Sequence, residues 1–387
     1  MSDLGALAVY IHWPYCARIC PYCDFNVVRD RGQAEQADLA RAIVADLEGQ
    51  AALTGPRRLT SVFFGGGTPS LMDPDWAGAI VAAAQRLWAP AADLEVSLEA
   101  NPTDAEAGRF AAFAAAGVSR LSLGLQSLDE AALAFLGRNH GAAEARRAAV
   151  LAARIFPRLS IDLIYARPGQ TPQAWAAELG EAVSSLSPEH ISPYQLTIEP
   201  HTAFARATER GRLRPPDPDT GAALFETTQA VLEAAGFDAY EVSNHARGPV
   251  ARSRHNLAYW TGQDYVGAGP GAHGRLSLAG QAGRWATTAQ ARPGAYIDQV
   301  RETGAGFATK EILTSRDTAI ERLLLGLRID AGVAWDEIAA LGLSAQSPVV
   351  AELAKEGFIE ARPQRLAATR RGRLVLDSLV AALVQGD

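Results

Sequence analysis

The sequence predicts an α/β protein built on a parallel sheet, followed by a smaller C-terminal helical unit of winged-helix type. Two observations lead there. Between residues 7 and 235, short runs with strand character alternate six times with stretches of helical periodicity, and the runs end in polar or Gly-rich turns. Beyond residue 318 the pattern changes to amphipathic helices around one short hairpin.

The first strand is Leu7-Ala-Val-Tyr-Ile-His-Trp13, and Leu39, Ile43 and Leu47 mark one face of a helix over 33–50. Leu59-Thr-Ser-Val-Phe-Phe64 is a second strand, which ends in Gly65-Gly-Gly-Thr-Pro69. A helix over 75–88 leads to the strand Leu94-Glu-Val-Ser-Leu-Glu99, and a helix over 104–116 to Arg120-Leu-Ser-Leu-Gly-Leu-Gln126. The last two strands, Leu159-Ser-Ile-Asp-Leu-Ile-Tyr165 and His190-Ile-Ser-Pro-Tyr-Gln-Leu196, are separated by a helix over 173–186. Helices over 144–153 and 220–235 complete the set. Right-handed crossovers allow a doubly wound sheet or a full or partial barrel. Glu99, Gln126, Asp162 and the 65–67 glycines fall at the C-terminal ends of strands, where such folds hold ligands.

Residues 240–309 read as Gly-rich loops. The tail reads as helices over 320–327, 333–341 and 349–356, a hairpin over 358–368, and a last helix from Arg371. The expected division is 1–238, 239–310 and 311–387. With no basic stripe in the tail, it reads as a lid or packing unit rather than a DNA reader.

A net charge of −7 argues against nucleic acid as the main partner, because neutralising phosphates takes a basic surface. The apolar runs are Ala-rich and interrupted by Arg, Asp or Glu, so none is expected to span a membrane. No basic, apolar leader opens the chain at Met1-Ser-Asp-Leu4, and a cytoplasmic protein is expected.

Chemistry is carried by three cysteines, all within eight residues. An odd, clustered set makes a poor disulfide framework and points to metal. Cys16-Ala-Arg-Ile-Cys20-Pro-Tyr-Cys23 has the spacing C-x3-C-x2-C. An electron-transfer cubane takes four cysteines, and this chain has no fourth. Three thiolates from one loop therefore suit a [4Fe–4S] cluster with one iron open to S-adenosylmethionine. The plainer alternatives are a zinc site completed by histidine, or three free thiols. The Gly65–Gly67 turn lets a ligand approach the backbone and leaves amides for an anion, or is simply a turn.

These residues resemble the radical S-adenosylmethionine superfamily, and within it the group that contains anaerobic coproporphyrinogen III oxidase and HemW-type haem chaperones. The resemblance rests on Tyr10 to Phe25, Phe63-Phe-Gly-Gly-Gly-Thr-Pro-Ser70, Glu99-Ala-Asn-Pro102, Leu121-Ser-Leu-Gly-Leu-Gln-Ser127, Leu136-Gly-Arg-Asn-His140, Ile161-Asp-Leu-Ile-Tyr165 and Tyr194-Gln-Leu-Thr-Ile-Glu-Pro200. It implies a partial (β/α)6 barrel, with Tyr10, Gly66, Gly67, Thr68, Glu99, Gln126, Arg138 and Asp162 contacting S-adenosylmethionine. Cys16, Cys20 and Cys23 would hold the cluster. Ala166-Arg-Pro-Gly169 stands where the group usually has Gly-Leu-Pro-Gly.

Two departures from the oxidase and two matching stretches favour the chaperone branch. Tyr10 lies close to the start, without the long extension of the oxidase, and Phe25 replaces a further oxidase cysteine. Arg254-His-Asn-Leu-Ala-Tyr-Trp260 and Gly269-Pro-Gly-Ala-His-Gly274 match the HemW-like pattern. On a helix His255 and Tyr259 share a face, where they could meet a porphyrin or sit as hydrogen-bonded core residues. The resemblance implies haem contact at His255, with His245 and His273 as alternative ligands. It implies a haem carrier that serves haem-dependent, respiratory proteins and can pair as a homodimer. The other readings are the oxidase, acting through a 5′-deoxyadenosyl radical, and a different radical reaction on a tetrapyrrole. Whether the chain is an enzyme stays open at this level.

Overall fold

The fold is that of a computed structural model, which describes residues 5–30 and 32–385 and, at 104 and 105, the backbone alone. The opening four residues, read above as free of a leader pattern, lie outside the described residues. Six strands form the centre: β1 (Ala6–Trp13), β2 (Arg58–Gly66), β3 (Ala89–Ala100), β4 (Arg120–Gln126), β5 (Arg158–Tyr165) and β6 (His190–Gln195). They pair in parallel in that order. Helices Gln33–Thr54, Pro74–Leu87, Phe110–Ala115, Ala142–Ile155 and Pro172–Leu186 connect them, and Pro218–Ala234 follows β6. Three of these begin alike: Asp73, Thr171 and Asp217 accept from first-turn amides ahead of a proline, whose missing N–H costs nothing there.

Alternation along the strands divides the residues between two faces. Val9, Ile11 and Trp13, Leu121, Leu123 and Leu125, and Leu159, Ile161 and Leu163 pack outward into the core beneath the helices. Tyr10, Phe63, Glu99, Arg120, Ser122, Asp162, Ser192 and Tyr194 turn inward and line a chamber. The interior of this partial (β/α)6 barrel is therefore polar, unlike the apolar filling usual for closed parallel barrels.

The stretch read as Gly-rich loops folds into six further strands: β7 (Asp238–Glu241), β8 (Asn244–Ala246), β9 (Asp264–Ala268), β10 (His273–Leu276), β11 (Trp285–Ala289) and β12 (Phe307–Ile312). The complete sheet runs β12-β11-β10-β9-β1-β2-β3-β4-β5-β6-β8-β7. Strand β9 joins β1 in parallel, and β10 to β12 continue antiparallel. Strands of three to six residues separated by glycines carry too little alternation to be read from sequence. The helix expected over 104–116 is broken into Asp104–Ala107 and Phe110–Ala115, and Glu130–Phe135 and Ala203–Glu209 are added helices.

The C-terminal unit has its own core, in which Leu323, Leu327, Ile338, Val350, Leu366 and Leu379 meet. Helices Ser315–Gly326, Pro348–Lys355 and Leu376–Gln385 surround a small sheet that includes the hairpin Ile359–Ala361 and Arg365–Ala368. The expected helix over 333–341 is instead the strand Val333–Ala334 followed by a 3-10 turn, Asp336–Leu341. Among the described residues, no helix is long and apolar enough to cross a membrane.

Candidate cofactor site

The cysteines lie in the loop that leaves β1 at the C-terminal rim of the barrel. Tyr15–Cys16 pairs with Val28–Arg29, which closes the loop at its base. Cys16 is buried, while Cys20 and Cys23 are half-buried. All three border one cavity of about 380 Å³. Thr68 donates its hydroxyl to Cys16 Sγ at 3.6 Å, and Arg138 Nη1 donates to Cys20 Sγ at 3.3 Å. Three thiols around one cavity suit a cluster that takes one thiolate per iron. Burial pushes the Cys23 thiol up to about 11 and raises that of Cys16, so loading thiolate ligands here releases protons.

The glycine turn at the end of β2 does something other than what its sequence suggests. Gly66 N donates to Glu99 Oε2 at 3.2 Å, Gly67 N to Trp13 O at 2.7 Å, and Thr68 N to Tyr15 O at 2.9 Å. Its amides are engaged by the protein, so the turn is no bare anion nest. The glycines are needed for chain-to-chain approach. A Cβ at Gly66, where φ is +106°, would lie 2.6 Å from the His12 ring, and one at Gly67 would lie 2.7 Å from the Pro14 and Tyr15 backbone. The turn thus pins the cysteine loop to the sheet while still bordering the cavity.

Glu99, Gln126, Arg138 and Asp162 share that cavity with Gly66, Gly67 and Thr68. Burial, together with neighbouring Asp162, pushes the Glu99 carboxyl up to about 8. Burial raises Asp162 to about 6 against the opposing pull of Arg120 and the hydroxyls around it, including Ser122 at 3.1 Å. Gln126 has φ +65°, rare outside glycine, and its buried Oε1 has no hydrogen-bond partner among the described residues. An unmet acceptor on a strained residue beside a cavity is the mark of a ligand-facing group. Arg138, expected to contact S-adenosylmethionine, directs its Nη atoms to Cys20 Sγ, Gly124 O and the Asn101 side chain.

Asn101 was missed as a site residue. It accepts from Arg138 and donates to Thr68 Oγ1 at 3.2 Å, so it links two side chains that touch cysteines. Its place at a strand end, before Pro102, was the available signal.

Below the cavity lies a chamber of about 190 Å³ that shares Glu99, Ser122, Asp162 and Tyr194 with it. Tyr10 stands in its wall, and its hydroxyl pairs with His12 Nδ1 at 3.1 Å. His255, in the helix Arg254–Trp260, points into this chamber and is 1% exposed. Its Nδ1 pairs with Ser61 Oγ at 3.1 Å and its Nε2 with Tyr259 OH at 2.9 Å, while its ring stacks on Phe63 with centroids 4.8 Å apart. Burial lowers its pKa to about 3, so the ring is neutral. Both nitrogens are committed, and an iron bond at His255 would require breaking one of these pairs. His245 is likewise buried and pairs with Gln229 at 3.2 Å, whereas His273 is exposed at the start of β10.

The sequence profile of the radical SAM superfamily matches residues 10–179, and that of the HemN C-terminal domain matches residues 313–375. The mitochondrial radical S-adenosyl methionine domain-containing protein 1 of Bos taurus is 40% identical, with 97% of this chain and 87% of that protein covered. The haem chaperone HemW of Escherichia coli is 35% identical over 98% of both chains. Among solved structures, coproporphyrinogen III oxidase (HemN) from Escherichia coli matches with a TM-score of 0.80 at 22% identity, covering 100% of this chain and 91% of that one, a likeness of fold.

Proposed function

The chain belongs to the radical SAM superfamily, in its HemW-type group, and from that premise we propose that it is a haem chaperone. It binds haem and passes it to haem-dependent proteins, respiratory ones among them, acting in the cytoplasm and able to pair as a homodimer. The observation that carries this reading is that the likeness to haem chaperones runs from end to end of the chain.

Cys16, Cys20 and Cys23 ligate a [4Fe–4S] cluster, and S-adenosylmethionine occupies the adjoining cavity. Such a cluster supplies an electron and an open iron that the amino and carboxylate groups of the cofactor can chelate. Arg138, within reach of Cys20, offsets thiolate charge, and Thr68 donates to Cys16. Glu99 and Asp162 accept from the cofactor's hydroxyl or amino groups, and Gln126 offers its free Oε1. Tyr10, Gly66 and Gly67 shape the wall.

The raised carboxyl of Glu99 makes a directional prediction. A cationic ligand favours the ionised form, so binding draws its proton off. The ratio of S-adenosylmethionine affinities, wild type over Glu99→Gln, should rise from about pH 7 to about pH 9 as Glu99 ionises. Calorimetry on both proteins separates this carboxyl from the cofactor's own amino group. A ratio that stays flat across that range removes Glu99 from the site.

The function itself is tested by anaerobic reconstitution followed by haem titration and transfer to an apo-haemoprotein. Stoichiometric uptake and transfer, with no porphyrin formed from coproporphyrinogen III, is the expected result. Turnover of coproporphyrinogen III without stable haem uptake would replace the chaperone by an oxidase.

A further inference from the structure

Gln126 closes β4 in a conformation that its own side chain does not favour. Among the described non-glycine residues, only Gln126, Ala166, Ser187 and His201 have a positive φ. At Gln126 the ladder to β5 also slips, since Gly124 pairs with Asp162 and Gln126 with Leu163. A bulge of this kind re-aims a side chain, and its left-handed position ordinarily takes glycine. Glutamine persists there only where the residues on either side over-determine the backbone.

Both sides are fixed. Ahead of Gln126, buried His140 donates from Nε2 to Leu125 O at 3.1 Å. Behind it the grip is stronger. Glu178, on the helix Pro172–Leu186, accepts from the Leu128 amide at 3.0 Å and from the hydroxyl of Ser127, which is fully buried. Arg167 completes the arrangement, with Nη1 donating to Ser127 Oγ at 2.6 Å and Nη2 to Glu178 Oε2. The two ionic side chains are each 10% exposed. A buried ion pair often adds no more to folding than apolar residues of the same volume, so what it holds is the feature to explain. Here it holds the two residues that follow Gln126. Arg167 in turn follows Ala166, the left-handed residue just past β5, so the clasp ties the ends of two neighbouring strands beside the cavity that Gln126 lines. It depends on Arg167, which stands where the group usually has leucine.

We propose that Arg167 and Glu178 are positioning residues: they clasp Ser127 and Leu128 and so hold Gln126 on its bulge, with Oε1 presented to S-adenosylmethionine. The proposal rests on the cofactor reading above.

S-adenosylmethionine affinity is measured by anaerobic calorimetry on the reconstituted full chain, with iron content recorded for each variant. Arg167→Met alone would strand a buried carboxylate, so Arg167→Met is combined with Glu178→Met, which replaces both ions by apolar side chains of similar length. With Gln126 present, this double variant should bind about tenfold more weakly at unchanged iron content. With Gln126→Ala already in place, the same two changes should alter affinity less than about twofold. Ser127→Ala, which leaves the ion pair intact, should show the same dependence on Gln126 in smaller measure. Losses of equal size in both backgrounds would overturn the proposal, because they would not act through Gln126, and so would the absence of any loss. Wild-type affinity in Gln126→Ala would remove Gln126 from the site, and the role of the clasp with it. No uptake by the wild type would overturn the cofactor reading itself.

Discussion

Serine in place of Cys20 is expected to lower iron from about four per chain to near background, because an open cubane already has the fewest protein ligands it can use. A hydroxyl does not ionise at neutral pH and cannot stand in for a thiolate. Cys16 and Cys23 should behave the same way, but Cys20 is the cleanest case. It is half-buried, so the change leaves packing nearly intact and the loss reads as a ligand effect. Arg138 Nη1 keeps its other neighbours within reach, among them Tyr22 OH at 3.5 Å. Iron and sulfide analysis, with electron paramagnetic resonance of the reduced protein, is the measurement. Full iron content in Cys20→Ser would mean that the loop does not hold the cluster.

Arg158→Ala should cost about 3–5 kcal/mol of folding stability, the penalty for leaving a buried ion without its partner. Glu95 is 2% exposed, and Arg158 Nη1 reaches it at 2.6 Å. The same guanidinium pairs with Glu189 at 2.8 Å and donates to Arg252 O at 3.1 Å. Glu95 also accepts from the amides of Arg254 at 3.0 Å and His255 at 3.3 Å, so it holds the start of the His255 helix against β3. Without Arg158 the carboxylate keeps only those amides. Urea unfolding measures the loss, and hydrogen exchange should show the helix Arg254–Trp260 opening first. Adding Glu95→Gln to Arg158→Ala should recover part of the stability, because an amide needs no counter-ion. A loss under about 1 kcal/mol would show that the pair carries little energy.

The barrel was legible because its strands are long enough to alternate with helices and end in distinctive turns. The cysteine loop was legible because three thiols at fixed spacing have few uses. The strands of 238–312 were not, since pairing with existing sheet edges, rather than local pattern, makes them strands. The inner face could have been found: Arg-Leu-Ser-Leu-Gly in β4 and Arg-Leu-Ser-Ile-Asp in β5 alternate polar and apolar residues. Strands buried on both faces normally read as continuous apolar runs, so that alternation signals a polar interior. For His255, helical spacing places Tyr259 beside it, but only the tertiary fold decides that this face turns inward on Ser61 and Phe63. Asn101 joined the candidate site because its partners Thr68 and Arg138 lie far away in sequence.

The sheet order has a bearing on how the chain behaves in a crowded solution. Because the sheet runs on past β1 and stops at β12, that strand is an open rim able to template another chain. Its sequence, Phe-Ala-Thr-Lys-Glu-Ile, would suit runaway stacking but for Lys310 and Glu311 near its middle, both exposed. Stacked identical rims would place like charges one above another, and that repulsion is a gatekeeper against aggregation.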